Sequence, residues 1–440
     1  MTAELRGRPG TKALPLVGGA RAVGGPIALG VFASFVAVAL AGWLAASVTL
    51  VAAAPELAAR DPLAWQPVLA AHLIALVLLP AAVSGASFHL LPVMLRNDVQ
   101  HPRLVRLVPA LLAGGALAAV GIARDLPALL WPGIVLVSCG LAIVLTELLG
   151  VVARAPRGRV LVASRTGVAL SCAHVVVALV LGVAVFDRGD APFAGVTHDR
   201  WVLVHLHVAV VGWLTLLIVT VGRTLAPMLA LSPTPPSRRW PVTELVLTGG
   251  LWLLVAGLVA GEPALQIAGA ATIAAALGGF ATRLAGVVRA ARLPFEAPLV
   301  HMVAGVAFLL QAAVLGVCMA AGAVSEQRGL TAYVVLLLLG WAGGVTLGHL
   351  GKLLSLSLWV WWPPGPRPKQ EALYPRRAWL VEAAFFAAGV ECVAAGSLGG
   401  STLATRGGAL LLVVAAALAA ATAWRIWSQR AARAEYAAPL

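Results

Sequence analysis

Runs of apolar residues alternate with short polar connections along almost the whole chain, and the runs fall at 26–54, 66–95, 103–123, 126–153, 164–186, 200–230, 242–261, 264–287, 297–324, 330–361, 378–398 and 403–427. A stretch of about 20 apolar residues is long enough to cross a bilayer as a helix. Backbone groups in hydrocarbon must be satisfied within the helix itself. The pattern therefore predicts an all-α polytopic membrane protein with twelve transmembrane helices. The transmembrane domain covers 26–428, with a basic segment at 1–25 and a tail at 429–440.

Composition agrees. The chain is 61% hydrophobic and only 11% charged, too little charge to cover a water-soluble body of this length. A net charge of +14 would point to nucleic acid in a soluble protein. Here its distribution assigns it to loops instead. One set of connections carries Arg96, Arg103 and Arg106; Arg154, Arg157 and Arg159; Arg238 and Arg239; Arg289 and Arg292; and Arg367, Lys369, Arg376 and Arg377. The alternate set carries Glu56, Arg60, Asp61, Arg124, Asp125, Asp187, Arg188, Asp190, Asp199, Glu262, Glu326 and Arg328. Cytoplasmic loops are the basic ones. The expectation is a multi-pass cell-membrane protein with both termini cytoplasmic, lipid as its surroundings and no nucleic-acid partner. About 25 residues precede the first run with no small-residue cleavage site after it, so no signal peptide is expected. Pro363-Pro-Gly-Pro366 reads as a cytoplasmic loop.

A weak repeat runs through the even spans. His72 precedes Pro92-Val-Met-Leu by twenty residues, and His207 precedes Pro227-Met-Leu by the same twenty. The tenth span, four further on, carries His349. The second, sixth and tenth spans are then equivalent inner helices of a pseudo-threefold bundle.

The histidines carry the candidate chemistry. Most of the nine lie inside apolar spans. An imidazole in hydrocarbon is costly unless it is paired, and imidazole is the commonest metal ligand. Residues two apart on a helix point about 200° away from each other, so His205 and His207 address two different sites, or one ligates while the other bonds a neighbouring helix. An outer site is expected from His72 and His207 with His198 or His205, and an inner one from His89, His301 and His349. His174 lies near mid-membrane, and a histidine there can also serve only as a bond between helices. His101 is expected in solvent. Lys352 and Arg223 are candidates to pair with haem propionates or to snorkel to the interface. Glu147, Glu382 and Glu391 relay protons or bond across helices. Gly343, Gly344 and Gly348 would open room beside His349 for a macrocycle. The metal-ligand candidates are His72, His205, His207, His301 and His349. His89, Lys352 and Arg223 join them around haem. Cys139, Cys172, Cys318 and Cys392 show no CxxC or CxxCH spacing, which argues against disulfides, iron–sulfur clusters and covalent c-type haem. A b-type haem is favoured, with copper as a further candidate.

Two segments resemble a known group. His205-Leu-His-Val-Ala-Val-Val-Gly-Trp213, running on to Pro227-Met-Leu, is similar to a helix of proteins akin to haem–copper oxidase subunit I. Gly348-His-Leu-Gly-Lys352, leading to Trp359 and Trp361, resembles another helix of the same relatives and a segment of the twelve-helix haem and copper protein NnrS. The resemblance implies haem held by His72 and His349, and copper held by His205 or His207. It implies electron transfer or chemistry on nitric oxide or oxygen, with a redox partner protein and a small gas ligand. An enzyme on this reading would be a membrane oxidoreductase. The seventh span lacks the family's His-His pair, and the only tyrosines are Tyr333, Tyr374 and Tyr436, so a complete oxygen-reducing centre is not expected. The alternatives are a secondary transporter of protons or metal ions, with Pro80 breaking a helix near its site, and a structural or assembly subunit.

Overall fold

The computed structural model describes residues 27–155, 162–188, 194–233, 241–292, 296–362 and 368–437. Segment 1–25, Arg157, Arg159, Asp190, Arg238, Arg239, Pro363–Pro366, Arg367 and the last three residues lie outside them.

Among the described residues the chain forms twelve long apolar helices: α1 Leu29–Ala52, α2 Trp65–Leu95, α3 Pro102–Ala123, α4 Pro127–Arg154, α5 Ser164–Asp187, α6 His198–Leu229, α7 Val242–Ala260, α8 Pro263–Arg289, α9 Ala297–Ala320, α10 Glu326–Val360, α11 Arg376–Gly399 and α12 Thr402–Arg430. Each is long and apolar enough to span a bilayer. Apolar side chains such as Val180, Val314 and Trp424 face outward, as lipid requires. The helix of α12 continues to Ala437, so residues 429–437 of the expected tail extend it. We call the end where α2, α4, α6, α8 and α10 finish the basic end, after its arginine-rich connections.

Burial separates inner from outer helices. The most apolar windows of α2, α6 and α10 are 67%, 61% and 89% buried, and no other helix exceeds 50%. The spans expected to be equivalent are therefore the innermost three.

A second signal of the repeat was not read from the sequence. The hairpins α3–α4, α7–α8 and α11–α12 are each closely packed pairs. Each is clasped by two glycines twelve residues apart: Gly121 and Gly133, Gly257 and Gly269, Gly396 and Gly408. At all six, an added Cβ would meet backbone of the facing helix. Small residues allow such close approach between membrane helices. Each hairpin also turns through a left-handed residue four positions after its first glycine: Asp125, Gly261 and Gly400. Three units of four helices result.

The inner helices share one irregularity. Each contains a π-helical stretch, at Ile74–Leu78 in α2, Val208–Thr215 in α6 and Val335–Gly343 in α10. The stretch in α10 packs against both of the others. In α2 the cause is local: Pro80, two residues past the stretch, lacks an N–H and would clash with the carbonyl one turn back. A ring residue stands just before every π stretch: His72, His207 and Tyr333. π-bulges concentrate at functional sites.

Candidate functional site

Five intramembrane histidines are anchored in the same manner. Nδ1 of His72 donates to Val68 O at 2.8 Å, that of His174 to Leu170 O at 2.7 Å, that of His207 to Leu203 O at 2.7 Å and that of His349 to Val345 O at 2.6 Å. His205 Nδ1 donates to Ala178 O on α5 at 3.0 Å. A carbonyl only accepts, so the proton sits on Nδ1 and the lone pair of the neutral ring is on Nε2. Metal-bound imidazoles are commonly fixed this way.

What each Nε2 meets divides the set. At the end opposite the basic one, His207 Nε2 accepts from the Tyr333 hydroxyl on α10 at 2.8 Å. This ring is fully used. Its expected role as a copper donor would require that bond to break. One level deeper, Trp341 Nε1 donates to Thr215 Oγ1 at 2.8 Å, joining the π stretches of α10 and α6. His72 and His205 lie within electrostatic reach of each other, and neither Nε2 has a hydrogen bond among the described residues. His174 Nε2 is buried without a partner, its ring packed on Gly212 and stacked with Trp252.

At the basic end the polar groups are closer together. His301 Nε2 donates to Glu382 Oε2 at 2.9 Å, with both side chains 1% exposed. His301 also packs against Gly348, where any Cβ would strike it. His301 Nδ1 and His349 Nε2 are both buried without hydrogen-bond partners. Gly344 and Gly351 are filled by Phe386 and Trp379. The room expected for a macrocycle beside His349 is therefore occupied by side chains.

The two cations are held by carboxylates. Lys352 Nζ lies 2.9 Å from Glu296 Oε2 and over the Tyr374 ring at 4.7 Å. Burial, reinforced by the nearby carboxylates Glu296 and Glu382, pushes the Tyr374 phenol above its ordinary range, so it stays protonated. Arg223 pairs with the fully buried Glu244 at 3.1 Å. His89 leaves the expected inner group. It meets Ser357 Oγ at 3.2 Å and the Phe32 ring. Glu147 accepts from Gln100 N, His101 N and His101 Nδ1, so it pins the loop between α2 and α3. His101, expected in solvent, is thereby hydrogen-bonded while still half-exposed. Glu391 faces outward.

The His89–Ser357 contact also sets the register of the parallel helices α2 and α10. It places His349 nine residues further toward the basic end than His72. At 1.5 Å per residue that is about 14 Å along the axis. The structure thus bonds His207 to Tyr333 and His301 to Glu382, leaves His72 within electrostatic reach of His205, and keeps His72 and His349 apart. No group of three or more His, Cys, Asp or Glu poised around a metal occurs among the described residues. Sequence reasoning missed Tyr333, Glu296, Glu244 and Ser357 as partners. An ionisable or phenolic residue inside or beside an apolar span was the available signal for the first three.

Fold and site together define a twelve-helix, all-α polytopic membrane protein with paired imidazoles in its interior. No protein-family model matches the chain, and no curated protein matches it.

Proposed function

We propose that the protein is a membrane metalloprotein akin to haem–copper oxidase subunit I, holding b-type haem and copper and acting in electron transfer or on a small gas. The observation that carries this reading is the anchoring of His72 and His205. Both rings donate Nδ1–H to a carbonyl, both keep Nε2 unengaged on inner helices, and the two lie within electrostatic reach of each other. That donor set fits the iron of a haem. Haem, when bound, supplies one-electron chemistry and, at an open coordination position, gas binding. The chain's own part is to orient the donors. Val68 O and Ala178 O hold the proton on the far nitrogen of each ring and raise the basicity of the near one. The resemblance pairs His72 with His349, but the 14 Å offset (about nine helical residues) and the filled flanks of His349 favour His205 as the partner. Basic loops orient the termini to the cytoplasm, which puts this pair in the outer half of the cell membrane.

Pyridine haemochrome analysis of protein made with ample haem tests the reading. Stoichiometric b-type haem that is lost in His72→Ala and in His205→Ala is the expected result. Purified protein without a Soret band would end it. A secondary transporter of protons or metal ions is the second reading, favoured by the three interrupted central helices. Metal uptake into proteoliposomes that depends on His207 would support it.

A further inference from the structure

Two arginines stand at matching depth where α6, α7 and α8 meet. Arg223 is six residues before the end of α6, and Arg283 is six residues before the end of α8. At 1.5 Å per residue both are about 9 Å inside the basic end. The two helices are fixed to each other on either side of this level. Deeper in, Gly222 faces the Phe280 ring; further out, Arg292 N donates to Ala230 O at 3.0 Å. The arginines lie within electrostatic reach of each other and of Glu244 on α7. Two guanidinium charges thus share one carboxylate, which leaves one positive charge in excess. The carboxylate does not use up the donors. Neither oxygen of the fully buried Glu244 makes a hydrogen bond, although Arg223 Nη1 stands 3.1 Å from one of them. Arg283 makes no hydrogen bond or close ion pair among the described residues. A guanidinium offers five N–H donors in a fixed fork, and charge at membrane depth is costly until it is paired.

From this we infer that Arg223 and Arg283 bind the phosphate of an anionic phospholipid. Phosphate oxygens match the guanidinium fork. A singly charged phosphodiester brings the group to neutrality, whereas a zwitterionic headgroup adds an ammonium that the arginines repel. Access is from the arginine side, since Arg223 and Arg283 are partly exposed and Glu244 is not. The membrane rather than the solution supplies the phosphate because of how α8 is placed. Its most apolar window is only 28% buried, so much of this helix faces outward. Gly279, Arg283 and Gly286 fall on one face of it, at i, i+4 and i+7. An added Cβ at Gly279 or Gly286, or at Gly278 beside them, meets nothing within 4 Å. An open strip therefore runs past the guanidinium toward mid-membrane, where an acyl chain lies when its headgroup is at the arginines. On the turn of α8, Arg283 falls between the exposed Gly279 and Phe280, which faces α6. That position joins the outward strip to Arg223. Basic pockets between membrane helices are established as sites for anionic headgroups. The site uses no histidine and is independent of the haem reading.

The test is native mass spectrometry of the full-length protein in detergent. It is titrated with phosphatidylglycerol, with phosphatidylcholine of identical acyl chains, and with inorganic phosphate as a competitor. The expected result is one phosphatidylglycerol bound about tenfold more tightly than phosphatidylcholine, a preference that Arg283→Gln removes. Arg223→Gln alone would strand the Glu244 carboxylate, so it is combined with Glu244→Gln, and this double variant should lose the preference too. Arg289→Gln, at the exposed end of α8, is the control and should keep it. The wild-type comparison of the two lipids stands whether or not the variants fold. Equal affinity for the two lipids overturns the site, and so does an Arg283→Gln protein that keeps the preference. A loss of equal size in Arg289→Gln also overturns it, because anionic lipid would then be drawn to the basic end as a whole. Inorganic phosphate that binds through Arg283 and displaces phosphatidylglycerol would make the ligand a soluble anion and overturn the lipid assignment.

Discussion

The two ends of α10 use the same kind of residue to different purposes. Near its start, Tyr333 donates to His207 on α6, and both rings are satisfied. Near its finish, His349 Nε2 and, on α9, His301 Nδ1 are buried with no hydrogen-bond partner among the described residues. All four rings lie within the bundle. The difference teaches that burial alone does not mark a ligand in a membrane interior. The accounting of protons and lone pairs does. A satisfied imidazole contributes packing and about 1 kcal/mol of bonding. An unsatisfied one costs stability, and such costs concentrate at functional sites.

The contrast can be broken from the basic end first. Glu382→Ala removes the partner of a buried histidine and should cost about 3–5 kcal/mol. A thermal melt of the purified protein in detergent checks this, and an unchanged midpoint would show that the pair is not formed. Gly348→Ala forces a methyl group into His301 and should cost about 1–3 kcal/mol. Gly286→Ala, on α8 with open space around its Cα, is the matched control and should stay within about 0.5 kcal/mol of the parent.

At the opposite end, Tyr333→Phe leaves His207 Nε2 without its donor. The expected loss is about 1–3 kcal/mol with metal content unchanged. If metal content falls instead, the His207–Tyr333 pair belongs to a metal site and the comparison collapses. Thr215→Val, which removes the acceptor of Trp341, should be the mildest polar change, at about 1 kcal/mol.

Much of the bundle was legible before any coordinates. Apolar runs of membrane-spanning length are a one-dimensional signal, and the arginine-rich connections recur at every second loop. The equivalence of the second, sixth and tenth spans rested on His72, His207 and two prolines, and the burial of those helices agrees with it. The glycine clasps were equally present in the sequence. They were passed over because glycine is common in membrane helices, and only the facing backbone shows which ones matter. Lys352 and Arg223 were read as propionate partners or snorkelling cations. Their carboxylate partners, Glu296 just before α9 and Glu244 on α7, lie 56 and 21 positions away, and no local spacing announces such pairs.

By itself the sequence determined the number of spans and the presence of titratable rings within them, because hydropathy acts along the chain. Which ring meets which was decided only in three dimensions. A helix offers each imidazole several neighbours, and the register between α2 and α10, set by His89 on Ser357, separates His72 from the partner that resemblance assigned to it. Close approach at Gly348 likewise packs His301 of α9 against α10. Pairing depends on helix contacts a few ångströms wide, and those belong to the packed bundle rather than to any one segment.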